Sequence, residues 1–261
     1  MDTDSDTRDE YALITGASSG IGWATALRLA PERKLILHGR DLDRLAATKD
    51  ACAQSDAHLI WPCDFCAIED VADSLTKLLA EKAAAVNCFV HSAGMVKVLP
   101  MRSTDCWIAQ EMMNVNVISA TEVLRVLLSK RTNGQHLRGV VFISSIWARF
   151  GARGHGMYCA TKGALDALMR ALAAELAPEV RVNSVLPGAV QTSMAAEGFS
   201  DPEIVENLRR DYPLGTGDVA DIAEAVEFLL SERAKWVTGH EMVVDGGRTA
   251  SMSLKGRAMP E

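Results

Sequence analysis

Apolar strand-like runs alternate with helix-like stretches along almost the whole chain, and this alternation constrains the fold most. The predicted strands are Tyr11–Thr15, Lys34–His38, Ala57–Pro62, Asn87–His91, Val140–Ser144, Val182–Leu186 and Glu241–Val244. The predicted helices are Ile21–Ala30, Leu42–Ala53, Ile68–Lys82, Thr104–Ser129, Tyr158–Leu176, Pro202–Arg210 and Val219–Leu230. Apolar strands separated by helices indicate a parallel sheet that is buried on both faces. The pattern predicts a single-domain, doubly wound α/β sheet of seven parallel strands, with ligands beyond their carboxyl ends.

The bulk properties fit one globular domain. The chain has 261 residues, which is enough for one well-filled core and short for two ordinary domains. Of these residues 48% are hydrophobic and 23% charged, as is typical of a globular domain. The net charge of −7 disfavours a nucleic-acid partner. No apolar run reaches the roughly 18 residues that span a bilayer, and the acidic start does not resemble a secretory signal. We therefore expect a cytoplasmic protein without a membrane partner.

The chain divides into a domain and two short flanking parts. Residues 1–10 form an acidic segment that we expect to be disordered, residues 11–247 form the domain, and residues 248–261 form a tail. The connection 189–217 is long and contains Gly198, Pro202 and Pro213. Long loops at the ligand edge of such a sheet often close over the ligand. We interpret 189–217 as a substrate lid. Alternatively, it is a surface loop that does not cover the ligand.

Six cysteines are present, and two of them, Cys63 and Cys66, form a Cys-x-x-Cys pair. A structural zinc site needs a second pair of ligands at suitable spacing, which the sequence does not offer. Cytosolic thiols are expected to be reduced. We therefore interpret the pair as small residues at a strand end and predict no metal site.

A glycine-rich turn, Thr15-Gly16-Ala17-Ser18-Ser19-Gly20-Ile21-Gly22, follows the first predicted strand. Glycine lets the backbone turn sharply and approach a ligand closely, and the next helix begins with N–H groups that can bind a phosphate. The place of the turn, between first strand and first helix, is typical of dinucleotide binding. A tight turn without a ligand is the alternative.

Tyr158 is the only tyrosine with a lysine four residues later, at Lys162. This spacing puts both side chains on one face of a helix. A phenol with a pKa of about 10 is a poor base near neutrality, but a nearby ammonium can lower that pKa by roughly 1–3 units. The pair could then exchange a proton with an alcohol. Ser145 ends the fifth predicted strand, thirteen residues before Tyr158.

Further motifs follow in order along the chain. They are Cys63-Asp64, His91-Ser92-Ala93-Gly94, Asn114-Val115-Asn116-Val117, Pro187-Gly188-Ala189-Val190-Gln191-Thr192, Thr238-Gly239 and Asp245-Gly246-Gly247. Together with the glycine turn and the Ser145, Tyr158 and Lys162 set, they resemble the short-chain dehydrogenase/reductase family in its single-domain form. The resemblance covers Tyr11 to Gly247. Within the family, the chain is similar to the 3-oxoacyl-carrier-protein reductases. The resemblance implies a Rossmann-type fold and an oxidoreductase that reduces a ketone to a secondary alcohol, or the reverse.

The resemblance also implies a role for each of four catalytic residues. Ser145 hydrogen-bonds the reacting carbonyl oxygen, and Tyr158 delivers the proton. Lys162 lowers the tyrosine pKa and holds the cofactor ribose. Asn116, which is unfavourable inside a helix, distorts the helix and holds a water that links the lysine to solvent.

The cofactor site implied by the resemblance draws on all the strand ends. Its residues are Gly16, Ser18, Ser19, Gly20, Ile21, Gly22, Arg40, Asp64, Phe65, Ala93, Gly94, Tyr158, Lys162, Pro187, Gly188, Val190 and Thr192. The family usually has Asn-Asn-Ala-Gly where this chain has His91 and Ser92 before Ala93 and Gly94. We interpret His91 as a hydrogen-bonded structural residue, with a catalytic role as the alternative.

The end of the second strand predicts NADP(H) as the cofactor. An NAD enzyme usually places a carboxylate there to bind the ribose hydroxyls, whereas this chain has Gly39. Arg40 could bind a 2′-phosphate through two hydrogen bonds, and Asp41 is interpreted as a helix cap. Alternatively, Arg40 stacks on adenine or pairs with Asp43 or Asp64.

The substrate is left open by the sequence, beyond a small molecule with a carbonyl or alcohol group. Arg149, Arg153 and His155 lie between Ser145 and Tyr158, where they could bind an anionic or carrier-linked substrate; solvated surface charges are an equal alternative. The motifs are shared by sugar, polyol, steroid and polyketide reductases.

The resemblance bears on assembly and on rival functions as well. It implies a homotetramer, with a dimer as the alternative, because family members pair the helices that correspond to 104–129 and 158–176. A further alternative is that both faces of these helices are covered within one chain. One rival is a non-catalytic dinucleotide sensor, which the complete catalytic set disfavours. The other is a nucleotide-sugar epimerase, whose substantial C-terminal domain is missing here.

Overall fold

A computed structural model describes residues 8–192 and 202–250 and contains a seven-stranded parallel sheet. Its strands are β1 (Asp9–Thr15), β2 (Lys34–Gly39), β3 (Leu59–Pro62), β4 (Ala84–His91), β5 (Gly139–Ile143), β6 (Arg181–Pro187) and β7 (Glu241–Val244). The spatial order is β3-β2-β1-β4-β5-β6-β7, so the direction of winding reverses between β1 and β4. Ligands bind outside the strand ends at such a reversal. The predicted doubly wound fold is confirmed.

The helices cover both faces of this sheet. They are α1 (Gly20–Leu29), α2 (Leu42–Ala51), α3 (Val71–Glu81), α4 (Cys106–Met113), α5 (Ser119–Leu127), α6 (Lys130–Asn133), α7 (Gly156–Leu176), α8 (Pro202–Asp211) and α9 (Val219–Leu230). Alternate residues of β1 enter two separate apolar clusters: Leu13 packs with the α3, α5 and α7 side, and Ile14 with the α1, α2 and α9 side. This two-sided burial explains why the strands are apolar throughout.

The predicted helix Thr104–Ser129 is wrong as a single element. Helix α4 begins after Asp105, whose carboxylate accepts a hydrogen bond from the Ile108 N–H at 2.8 Å. A π-helix over Asn114–Ile118 separates α4 from α5, and α5 ends at Leu127. The wide turn is centred on Asn116, the residue that a helix interior disfavours.

Parts of three sequence-based predictions lie outside the described residues. These parts are residues 1–7 of the acidic segment, residues 193–201 of the lid and residues 251–261 of the tail. Within the described ranges, no helix combines the length and the apolarity required to cross a bilayer.

Candidate active site

The turn after β1 is a cradle made of backbone. Gly16 has a φ of +68°, and a Cβ there would lie 2.8 Å from the Ala93 nitrogen, just beyond β4. A Cβ on Gly22 would lie 2.2 Å from the Gly16 carbonyl oxygen. Neither position can therefore carry a side chain. Helix α1 begins at Gly20, and its N-cap Ser19 makes no side-chain capping bond, which leaves the first-turn N–H groups at the sheet edge for a phosphate.

The end of β2 is followed by an exposed arginine and then by an aspartate that caps the next helix. The Ser18 hydroxyl oxygen lies 3.3 Å from where a Cβ of Gly39 would be, so Ser18 covers this glycine. Arg40 follows and is exposed. The Asp41 carboxylate accepts a hydrogen bond from the Arg44 N–H at 3.0 Å and caps α2, as predicted.

A buried imidazole supports this end of the site. Nδ1 of His38 accepts a hydrogen bond from the Gly16 N–H at 3.4 Å, and Nε2 donates to the Cys63 carbonyl at 3.1 Å. Burial lowers the pKa of His38 to about 3, so the ring is neutral. It stacks on Phe65 with ring centroids 3.9 Å apart. The Asp64 carboxylate accepts from the Cys66 N–H at 2.9 Å and shapes the loop after β3.

Two hydroxyl groups meet beyond the end of β5. Ser145 lies two residues after the strand, and its hydroxyl accepts a hydrogen bond from the Trp147 N–H at 3.2 Å. Tyr158 lies in the first turn of α7, where the Ser145 side chain acts on the pKa of its phenol. Burial raises the pKa of Tyr158 to about 12, although the Ser145 side chain acts in the opposite direction. The phenol is therefore a protonated donor near neutrality.

Lys162 lies one turn further along α7 and is fully enclosed. Its Nζ donates a hydrogen bond to the Ile143 carbonyl oxygen at 2.7 Å and lies 5.7 Å from the centroid of the Tyr158 ring. Burial lowers the pKa of Lys162 to about 8, against the opposing effect of Asp166. In this structure burial raises the pKa of Tyr158 above its ordinary value, and the lowering of that pKa expected from Lys162 stays a prediction.

The π-helix presents the Asn116 side chain to the same cleft. Its Oδ1 accepts from the Met95 N–H at 2.8 Å, and its Nδ2 donates to the Met95 carbonyl at 3.0 Å and to the Thr161 hydroxyl at 2.9 Å. A Cβ on Gly94 would lie 3.6 Å from both Asn116 Oδ1 and Lys162 Nζ. The cleft thus brings together the four predicted catalytic residues, with a glycine beside them.

Comparison with known proteins decides the family. A family model described as enoyl-(acyl carrier protein) reductase matches residues 16–249, which is most of the chain. The chain belongs to the short-chain dehydrogenase/reductase family.

Relatives match over nearly their full length. D-erythrulose reductase from Gallus gallus is 30% identical over 251 residues, which cover 95% of this chain and 98% of the relative. The 3-oxoacyl-[acyl-carrier-protein] reductase from Bos taurus is 32% identical over 250 residues, covering 94% and 100%. The solved structure of a short-chain type dehydrogenase/reductase from Mycobacterium ulcerans has a TM-score of 0.83 at 31% identity, covering 93% of this chain and 90% of that one.

The protein is therefore an oxidoreductase acting on C=O and CH–OH groups. The short-chain dehydrogenase/reductase family binds a nicotinamide dinucleotide. The residues present fit such a group, because the cradle of Gly16 and Gly22 admits backbone alone and the first turn of α1 suits a diphosphate.

The family resemblance places the nicotinamide contacts in the segment after β6. This segment is held in place by contacts with residues further along the chain. Gly188 could not carry a Cβ, which would lie 2.8 Å from both the Asp245 Cα and the Tyr212 ring. The Tyr212 hydroxyl accepts a hydrogen bond from the Ala189 N–H at 3.0 Å, and Val190 forms a β-bridge with Gly217. The described end of the predicted lid is thus fixed to the sheet edge. Tyr212 is a positioning residue that sequence reasoning missed.

The far side of this segment faces the glycine turn. A Cβ on Gly20 would lie 3.4 Å from the Thr192 methyl group. Thr192 and the N-terminus of α1 therefore lie close together, as their shared assignment to the cofactor site requires. Pro187 is the last residue of β6, directly before this segment.

A hydrogen-bond chain behind the cleft was also missed. The Thr15 hydroxyl accepts from the N–H groups of Ser92 and Ala93, both at 3.1 Å, and donates to His91 Nδ1 at 3.0 Å. Nε2 of His91 donates to the Asn116 carbonyl at 3.3 Å. Burial lowers the pKa of His91 to about 3, so the ring is neutral. These contacts agree with the interpretation of His91 as a hydrogen-bonded structural residue.

Two charged residues of the β5–α7 loop, Arg149 and His155, have partners other than a substrate in this structure. The Arg149 guanidinium donates to the Glu241 carboxylate on β7 at 2.6 and 2.9 Å, and Arg170 pairs with the same carboxylate. Nδ1 of His155 bonds the Arg153 carbonyl at 2.9 Å, and the His155 ring packs on Trp147 at 4.1 Å. The surface-charge interpretation therefore applies to Arg149, and its proposed contact with an anionic substrate is not supported.

The thiols of the Cys-x-x-Cys pair are shielded. Burial raises the pKa of both Cys63 and Cys66, and that of Cys66 to about 11. Within residues 8–192 and 202–250, no group of three or more His, Cys, Asp or Glu side chains is placed to hold a metal ion.

Proposed function

We propose that this enzyme uses NADP(H) to reduce a ketone to a secondary alcohol, or to run the reverse reaction, with Tyr158 as the proton donor. One observation supports this most directly. The Tyr158 phenol, the Ser145 hydroxyl and the Lys162 ammonium meet beyond β5, beside a backbone cradle suited to a dinucleotide.

In this proposal the side chains divide the work on the substrate oxygen. A bound nicotinamide dinucleotide supplies the hydride for the carbonyl carbon. Ser145 donates a hydrogen bond to the carbonyl oxygen and stabilises the negative charge that develops there. The oxygen then takes the phenolic proton of Tyr158, which the raised pKa keeps on the phenol below about pH 12.

Lys162 and Asn116 support the donor. The Lys162 ammonium stabilises the phenolate that remains after proton transfer, and its bond to the Ile143 carbonyl fixes its place. Asn116 links the backbone of Met95 to Thr161, which precedes Lys162. These contacts hold the loop beyond β4 against α7 and align the donor with the cleft.

The preference for NADP(H) is supported by the end of β2. Arg40 is exposed beside Gly39 and the Ser18 hydroxyl, whereas the Asp41 carboxylate is engaged as the cap of α2. A 2′-phosphate would meet a cation and a neutral donor and no free carboxylate at this position.

The substrate in this proposal is a small ketone or its alcohol. The bovine relative is named a 3-oxoacyl-[acyl-carrier-protein] reductase and the chicken relative a D-erythrulose reductase. Both 3-oxoacyl thioesters and small sugar ketones therefore belong on the first panel of compounds. In this proposal residues 11–247 act as one catalytic domain.

A homotetramer is part of the proposal. Two large apolar side chains are exposed at separate places: Trp107 on α4 and Trp236 before β7, with exposed fractions of 79% and 97%. Exposed aromatic side chains of this size commonly mark surfaces between subunits. Two such surfaces would suffice to build a tetramer from two kinds of dimer contact.

The test is oxidation of NADPH by the purified protein with the panel of ketones, followed at 340 nm. We expect turnover with at least one class, and Tyr158→Phe should lower kcat by about a hundredfold or more while nucleotide affinity changes only a few-fold. Tyr11→Phe is the matched control, because Tyr11 lies inside β1, and it should keep its turnover. Near-normal turnover of Tyr158→Phe, or no reduction of any ketone, would contradict the proposal.

A further inference from the structure

A buried carboxylate lies next to the catalytic lysine. Asp166 is on α7, four residues after Lys162, and residues at this spacing share one face of a helix. The exposed fractions are 3% for Asp166 and 4% for Lys162. Both carboxylate oxygens of Asp166 are buried without a hydrogen-bond partner in the described structure. Burying an acidic group in this way is costly unless a nearby charge compensates for it.

The groups that face Asp166 come from four elements. Burial raises the pKa of Asp166 above its ordinary value; the Glu241 carboxylate on β7 acts in the same direction, whereas the Ser184 hydroxyl on β6 and the Ser144 hydroxyl after β5 act against it. The cation that acts on it is Lys162 of its own helix. Glu241 already pairs with Arg149 and Arg170. Lys162 is therefore the group best placed to compensate a negative charge on Asp166.

From this geometry we propose that Asp166 is a positioning residue that keeps Lys162 in its ammonium form. The inference rests on the proposed function, in which that ammonium stabilises the Tyr158 phenolate. Asp166 does not reach the substrate oxygen in this scheme. It acts through Lys162.

The other groups around Lys162 do not carry a negative charge near neutrality. The Ile143 carbonyl and the Asn116 amide are neutral, and the Tyr158 phenol holds its proton. His91 on β4 is neutral, since its pKa is lowered to about 3. Burial alone would lower the pKa of Lys162 further than the value of about 8, and Asp166 opposes that effect.

Asp166→Asn tests the inference, because it removes the charge and keeps the shape. The protonation midpoint of Lys162 is read from the ¹³Cε signal of labelled lysine, assigned with Lys162→Arg. We expect Asp166→Asn to lower this midpoint by about one pH unit. The alkaline limb of kcat/KM for ketone reduction should move down by the same amount. Asp166→Glu should restore most of both shifts.

Glu241→Gln is the matched control. It makes the same carboxylate-to-amide change on the neighbouring strand, and its carboxylate does not act on Lys162 directly. It should leave the Lys162 midpoint in place. If Asp166→Asn does not fold, Asp166→Ser removes the same charge with a smaller side chain.

An unchanged Lys162 midpoint in the folded Asp166 variant would overturn the inference even if the enzyme reduces ketones. A uniform loss of activity with no movement of the midpoint would assign Asp166 a structural role alone, and this also overturns it. The NMR midpoint needs no turnover. A wild-type protein that reduces no ketone would therefore contradict the proposed function and still leave the charge interaction measured.

Discussion

Arg40→Ala should remove most of the preference for NADPH over NADH. Arg40 is the exposed cation at the end of β2, beside a glycine that carries no carboxylate. The Asp41 carboxylate is held by the Arg44 N–H. The variant thus deletes the cation that the structure offers to a 2′-phosphate and leaves the cap of α2 intact.

The magnitude follows from the contacts that one guanidinium can make. A hydrogen bond to a charged group contributes roughly 1.5–3 kcal/mol, and Arg can form two of them with a phosphate. Solvent screens an exposed site, so we count the pair as about 2 kcal/mol, which corresponds to about a thirtyfold change in kcat/KM. NADH lacks the phosphate, and its kcat/KM should stay within about threefold.

The assay is the ratio of kcat/KM for NADPH and NADH at one saturating ketone and one ionic strength. Wild type should prefer NADPH at least about tenfold. Arg44→Ala is the matched control, because it removes an exposed arginine one turn into α2 and should leave the ratio near that of wild type. Equal use of both cofactors by wild type, or a preference for NADH, would refute the reasoning and indicate that Asp41 binds the ribose.

Three other predictions concern stability, pH dependence and assembly. Asn116→Ala loses three hydrogen bonds in a buried site and should lower the free energy of unfolding in urea by about 2–4 kcal/mol; a loss well below this range would show that the wide turn holds without them. Ketone reduction should decline as the pH rises through about 8, because Lys162 loses its proton there; a flat alkaline profile of kcat/KM would remove Lys162 from the mechanism. Light scattering should give the mass of four 28.2 kDa chains at micromolar concentration, and a monomer would contradict the tetramer.

The sheet could be predicted from sequence because its signal is local. Most strands carry apolar residues on both faces, and the cap residue Asp41 stands directly before its helix. The residues of the cleft could be placed as well, because the ends of parallel strands meet at one edge. Gly16, Ser145 and the Tyr158 pair all follow strands or begin helices, so their position in the chain indicates their position in space.

What could not be predicted depends on contacts between distant segments. Within the π-helix, Asn116 binds the backbone of Met95, 21 residues earlier. Burial raises the pKa of Tyr158, and no spacing rule in the sequence reports that burial. Tyr212 reaches Ala189 across 23 residues. Asp166 reads in sequence as an ordinary polar position on a helix, and only its burial indicates otherwise.

The wide turn over Asn114–Ile118 lies between α4 and α5. The number of residues in this turn, as well as their identity, should determine activity. The Ser119 N–H bonds the Asn114 carbonyl five residues back, so the turn holds one residue more than an α-helix would. Deleting a single residue there would allow the turn to close into a regular helix while α4 and α5 keep their buried faces. A chain shortened in this way should retain the sheet and the glycine cradle and lose the amide that joins Met95 to α7. Deletion of one residue would then abolish catalysis and leave the fold in place.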